Sequence, residues 1–125
     1  MGESRSPYAR FRRAIERGQP TAALSAAAEL RHVPITDALE LLLLLRHHDP
    51  GRYPRAALRW HGRLCRDVPG LSLADAAAVL ALLAAMGEEN ERGAARALAE
   101  LLRGHELDQP ARILRRWADV HRATP

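Results

Sequence analysis

The chain has 125 residues, of which 47 % are hydrophobic and only 4 % aromatic, with a formal net charge of +4. That size suits one domain around a single aliphatic core. All 19 basic residues are arginine, and the lone cysteine, Cys65, excludes an intramolecular disulfide and a multi-cysteine metal site. With 24 alanines, 20 leucines and few valines or isoleucines, the composition points to an all-α fold. We expect a compact bundle of six or seven helices over residues 7–125, after a polar, disordered N-terminus at 1–6.

The first helix is expected near Pro7 to Arg17, stopped by Gly18, with Tyr8, Phe11, Ala14 and Ile15 on its apolar face. A second follows near Thr21 to Arg31, with Leu24, Ala27, Ala28 and Leu30 inward. Pro34 interrupts, and a third runs near Thr36 to His47, with Asp37 and Glu40 read as a D-x-x-E start signal. Leu39 and Leu41–Leu45 make it apolar nearly all round, which predicts a central, buried position. Asp49-Pro50-Gly51 is a turn signal.

The fourth helix, near Tyr53 to Asp67, places Tyr53, Ala57, Trp60, Leu64 and Val68 on one face. Its other face carries Arg52, Arg55, Arg59, Arg63 and Arg66. At about 100° per residue these five share an arc of roughly 80°. An ordinary solvated face mixes signs; here the nearest carboxylates are Asp49 and Asp67, at the two ends. Arg52 falls at the helix start, so Arg55, Arg59, Arg63 and Arg66 are the firm members. Ser72 is expected to cap a fifth helix, with Asp75 three residues on, running to Met86 and closed by Gly87. Like the third, it is apolar nearly all round and is placed at the centre. A sixth runs near Glu89 to Arg103, with Glu88, Glu89 and Glu91 at its positive end. The last starts near Asp108 and ends about His121, packing Ile113, Leu114, Trp117 and Val120 inward.

A weak repeat is visible. Ala22-Ala23-Leu24 matches Ala56-Ala57-Leu58 at 34 residues, and Asp37-Ala38 matches Asp75-Ala76 at 38. That period is the size of a two-helix solenoid unit, without the tetratricopeptide consensus aromatics. Arg10-Phe11-Arg12-Arg13-Ala14, the run Thr36 to Leu45 with its turn, and Arg55-Ala56-Ala57-Leu58-Arg59-Trp60 with Leu71-Ser72-Leu73-Ala74-Asp75-Ala76 resemble small uncharacterised helical proteins of GC-rich bacteria. The resemblance implies an all-helical fold and carries over no activity.

The arginine stripe is the first candidate site, suited to an acidic protein surface or to phosphates, against the plain alternative of a solubilising face. Arg10, Arg13 and Arg17 form a secondary basic face on the first helix, and the last helix adds Arg112, Arg115 and Arg116. Nucleic acid is the less favoured target, because no Lys or exposed aromatic accompanies the arginines. His47 and His48 are adjacent and point about 100° apart, which does not suit one metal ion. His61 is expected partly buried and satisfied, and Cys65 a buried structural thiol. No phosphate loop, nucleophile elbow or carboxylate pair appears, so no catalytic residue, metal site or cofactor is assigned. No apolar stretch is long enough to span a bilayer and no signal-peptide core is present, so a cytoplasmic location is expected. The leading expectation is a non-enzymatic protein-interaction module with its arginine face toward an acidic partner. A nucleic-acid-binding protein and a small enzyme or metal protein stay open as alternatives; oligomeric state is unassigned.

Overall fold

A computed structural model describes residues 6–120. Seven α-helices follow one another: α1 (Pro7–Glu16), α2 (Pro20–Ala28), α3 (Ile35–His48), α4 (Tyr53–Asp67), α5 (Leu73–Met86), α6 (Glu91–Gly104) and α7 (Asp108–Val120), with a 3-10 turn at Pro50–Arg52 before α4. No strand occurs among the described residues, and the expected all-α bundle is what the chain forms. The expectation for 1–6 lies outside the described residues except at Ser6, whose hydroxyl caps α1 by accepting from the Ala9 amide at 3.1 Å. Ser72 caps α5 in the same way, through the Asp75 amide at 3.0 Å. Gly18 and Gly70 have positive φ, 68° and 83°, and turn the chain after α1 and α4 where a side chain would be strained.

The D-x-x-E segment does not cap α3. Pro34 holds the N-cap position and offers no side-chain hydrogen bond. Asp37 sits in the first turn of α3, nearly buried, and Glu40 lies one turn further; both accept from the Arg12 guanidinium of α1, Asp37 at 3.0 Å. Local capping was overridden because a cation from another helix reaches both carboxylates.

Each helix packs on the one before it, and the cross-helix bonds show that α4 and α5 run antiparallel. Tyr53 near the start of α4 reaches Leu83 near the end of α5, while His61 further along α4 meets Ala76 near the start of α5. The chain departs from a one-dimensional stack of hairpins in one respect: α7 returns to pack on α3. Thus α3 touches α1, α2, α4 and α7 and is central as expected, with Leu39, Leu42, Leu43 and Leu45 buried.

The core is in two parts. The larger spans α3 to α7 around Leu39, Trp60, Val79, Leu98 and Leu114. The smaller joins Phe11, Ala14, Ala23 and Ala26 of α1 and α2 to Leu41 and Leu44 of α3. The fifth helix is not central. Val79, Leu83 and Met86 face the core, but Leu73, Ala74, Ala77, Leu80, Ala81 and Ala84 are exposed. Among the described helices its backbone packs on α4 and α6, and α3 reaches it through the Arg46 side chain. An Ala/Leu helix has no polar side to mark its outer face, so its periodicity did not show which side would stay open.

Tyr53 is 2 % exposed and donates its hydroxyl to the Leu83 carbonyl at 2.7 Å. Burial pushes its phenol up from the usual 10.0 to about 12, with the Arg46 guanidinium pulling weakly the other way. The folded state therefore binds this proton more tightly than the unfolded chain. The stabilisation is complete below the unfolded value and is lost as pH rises from about 10 to about 12. We expect Tyr53→Phe to lower stability by about 1 kcal/mol at neutral pH and to flatten the alkaline fall, as read by denaturant melts across that range.

Candidate functional site

The arginine stripe divides into three environments. Arg52 pairs with Asp49 at 3.3 Å, and Arg66 approaches Asp67 at 3.7 Å. Arg63 is drawn inward: its side chain is 19 % exposed, it donates to Asp67 at 3.2 Å, and it lies 3.2 Å from the His32 ring in the α2–α3 connection. The expected outward, uninterrupted stripe is therefore met at both ends by the carboxylates that flank it, Asp49 at Arg52 and a single Asp67 shared by Arg63 and Arg66. Arg55 and Arg59 remain. Both are exposed, and neither has a hydrogen-bond or ion-pair partner among the described residues.

Arg59 lines a groove, and Arg55 lies one turn before it on α4. Helices α2 and α4 both pack on α3 and do not touch each other. Between them lies a cleft of about 150 Å³ with Leu24, Ala38, Leu41 and Trp60 in its lining and Arg59 and Arg63 along its α4 side. Trp60 is fixed there because its indole N–H donates to the Ile35 carbonyl at 3.1 Å, where α3 begins. The opposing edge, α2, carries no charged side chain within Pro20–Ala28. The cleft is thus apolar along its floor, neutral on one side and cationic on the other.

The secondary basic face does not extend this site. Arg10 is engaged by Glu29 through two bonds, at 2.7 and 3.1 Å, and this holds the Glu29 carboxyl below its ordinary range. Arg13 and Arg17 are exposed. Helix α1 packs on α2 and α3 and does not contact α4, and neither does α7. The arginines of α1 and α7 therefore do not extend the α4 stripe, although Arg12, Arg112 and Arg116 of those two helices border a common groove.

A second groove, of about 480 Å³, opens where α1 and α7 both rest on α3. Leu43, Leu44, Ile113 and Trp117 line it, with Arg12, Glu16, Glu40 and Arg116 among its charged groups. Opposite charges there are interleaved, and Arg12 is already committed to Asp37 and Glu40.

The other candidates resolve individually. The His47 and His48 rings stand edge to face with centroids 4.6 Å apart, and no group of three His, Cys, Asp or Glu side chains placed to hold a metal occurs among the described residues. His61 is half-buried with Nε2 2.8 Å from the Ala76 carbonyl, as expected of a satisfied histidine. Cys65 is exposed, which corrects the expected buried thiol. Its Sγ lies 3.7 Å from the same His61 nitrogen. A ring nitrogen bonding to a carbonyl must carry the proton, so it offers the thiol no base there. Arg46 and Arg12, which tie the helices together, escaped notice in the sequence because their partners lie 25 to 45 residues away.

No protein-family model, curated protein or solved structure matches this chain. Among the described residues, no helix is long and apolar enough to cross a membrane.

Proposed function

We propose that the chain is a cytoplasmic, non-enzymatic protein-interaction module that takes an acidic, amphipathic helix of a partner protein along the cleft between α2 and α4. One observation carries this reading: Arg59, beside an apolar cleft, and Arg55, one turn before it, have no carboxylate partner among the described residues, whereas Arg52 pairs with Asp49 and Arg63 and Arg66 share Asp67. An apolar stripe on the incoming helix covers Leu24, Leu41 and Trp60, and glutamates on its flank meet the free guanidinium groups, which are forked to receive carboxylates. Acidic protein is favoured over nucleic acid because the floor beside Arg59 is apolar, with its one aromatic, Trp60, buried, which suits leucine side chains better than phosphates.

The test uses a synthetic helix of about 16 residues with leucines one turn apart and glutamates on one flank, and a second with lysines in their place. The glutamate peptide is expected to bind, and the lysine peptide not to. Arg55→Glu/Arg59→Glu should weaken binding at least about tenfold while thermal stability stays within about 0.5 kcal/mol, since both side chains are exposed. Equal binding of the two peptides, or binding indifferent to the double substitution, defeats the proposal. Retention on duplex DNA or RNA at about 50 mM salt, falling steeply as salt rises, replaces it with nucleic-acid binding.

A further inference from the structure

The outer side of α5 is apolar and uncharged from Leu73 to Ala84, and Leu58 of α4 adjoins it. Leu73 is 88 % exposed, Leu58 60 % and Leu80 38 %, and the exposed alanines of α5 lie between them. No charged side chain falls among Leu73, Ala74, Ala77, Leu80, Ala81 and Ala84. At the far end of the same face a furrow of about 400 Å³ separates the two helices, with Pro54, Leu58, Leu80, Ala84 and Glu88 in its lining. A projecting leucine and a largely apolar furrow therefore sit at opposite ends of one surface.

We propose that this surface is a homodimer interface, in which a second copy docks antiparallel about a two-fold axis crossing α5 between Ala77 and Leu80. That symmetry sets Ala77 of each copy against Leu80 of the other, and Leu73 against Ala84, so each exposed leucine of α5 faces an alanine. Leu73 enters the furrow beside Ala84. Because Leu73 is the first residue of α5, its insertion also brings the positive end of that helix to the Glu88 carboxylate in the furrow wall. The size match and the charge match arise from the same operation. The exposed residues of α5 from Leu73 to Ala84 offer a charged partner nothing, whereas a second copy of the face, with Glu88 at its end, is complementary to it. Stable interfaces bury roughly 800 Å² per partner, more than a face one helix wide supplies. The dimer is accordingly weak and dissociates on dilution.

Sedimentation of the full chain from about 5 µM to 1 mM should show a reversible monomer–dimer equilibrium. Leu73→Glu leaves folding intact, because an acidic residue is favourable in a first turn and the site is exposed, but it sets a carboxylate against Glu88 and should raise the dimer Kd at least about tenfold. Ala84→Leu, which fills the furrow, should do the same. In a Cys65→Ser background, Ala77→Cys should be cross-linked between copies by a short bismaleimide, and Ala28→Cys on α2 should not. A monomer throughout the concentration range overturns the proposal. So does a dimer that ignores both substitutions, or a monomer that binds neutral lipid vesicles through Leu73. None of these readouts involves Arg55 or Arg59, so the interface and the α2–α4 cleft stand or fall separately.

Discussion

Replacing Arg46 with methionine should lower stability by about 3 kcal/mol and the Tm by roughly 10 °C. Arg46 stands in the last turn of α3 with its side chain 18 % exposed. Its Nε donates to the Met86 carbonyl at 2.6 Å, where α5 ends, and its Nη2 to Glu91 at 2.6 Å, where α6 begins. Its guanidinium carbon also lies 6.0 Å from the centre of the Tyr53 ring at the start of α4. One side chain thus joins the ends of four helices. Methionine keeps the aliphatic length and loses every polar contact, stranding a helix C-terminal carbonyl and a half-buried carboxylate. Charged hydrogen bonds contribute about 1.5–3 kcal/mol each, and removing one partner leaves the other desolvated. Lysine keeps the charge but not the fork and should recover less than half of the loss. Chemical denaturation of the three proteins measures this, and a methionine variant within about 0.5 kcal/mol of the parent would show that the clamp contributes nothing.

Arg12→Met should cost a similar amount, about 3 kcal/mol, through a different route. Arg12 is the cation between Asp37, whose side chain is 10 % exposed, and Glu40 at 21 %. Without it, two carboxylates one turn apart on α3 face each other at the seam with α1. The penalty comes from the stranded anions more than from the lost attraction. Arg12→Met/Asp37→Leu/Glu40→Leu should therefore regain most of the lost stability, although it contains two further substitutions. A triple variant no more stable than the single one would contradict this. Amide exchange should also locate the damage: the small core of α1 and α2 is joined to the rest through α3, so its amides should lose protection first.

The helix boundaries were largely legible because the chain marks them chemically. The fourth helix was placed from Tyr53 to Asp67 and is found there, since Asp49-Pro50-Gly51 precedes it and Pro69-Gly70 follows. Ser72 announces α5 and caps it. The arginine stripe was visible as a periodicity, and so were the two carboxylates at its ends; that those carboxylates fold back onto Arg52, Arg63 and Arg66 depended on side-chain reach, which spacing does not encode. The inward turn of Arg63 depended on His32 from another connection. The role of Asp37 was misjudged because a capping pattern and a buried ion pair use the same residue types. The exposed side of α5 was hidden by composition, since leucine and alanine fill both its faces.

The return of α7 to α3 has a kinetic consequence. Every other helix pair that packs is close in sequence, so most of the native contacts close short loops. Topologies of that kind fold in about milliseconds or less, because little chain entropy is lost before contacts form. The α3–α7 seam alone must wait for a loop of about 60 residues to close, and its C-terminal half is synthesised last. The first six helices can therefore assemble progressively as they emerge, and the docking of Ile113 and Trp117 beside Leu43 and Leu44 completes the fold.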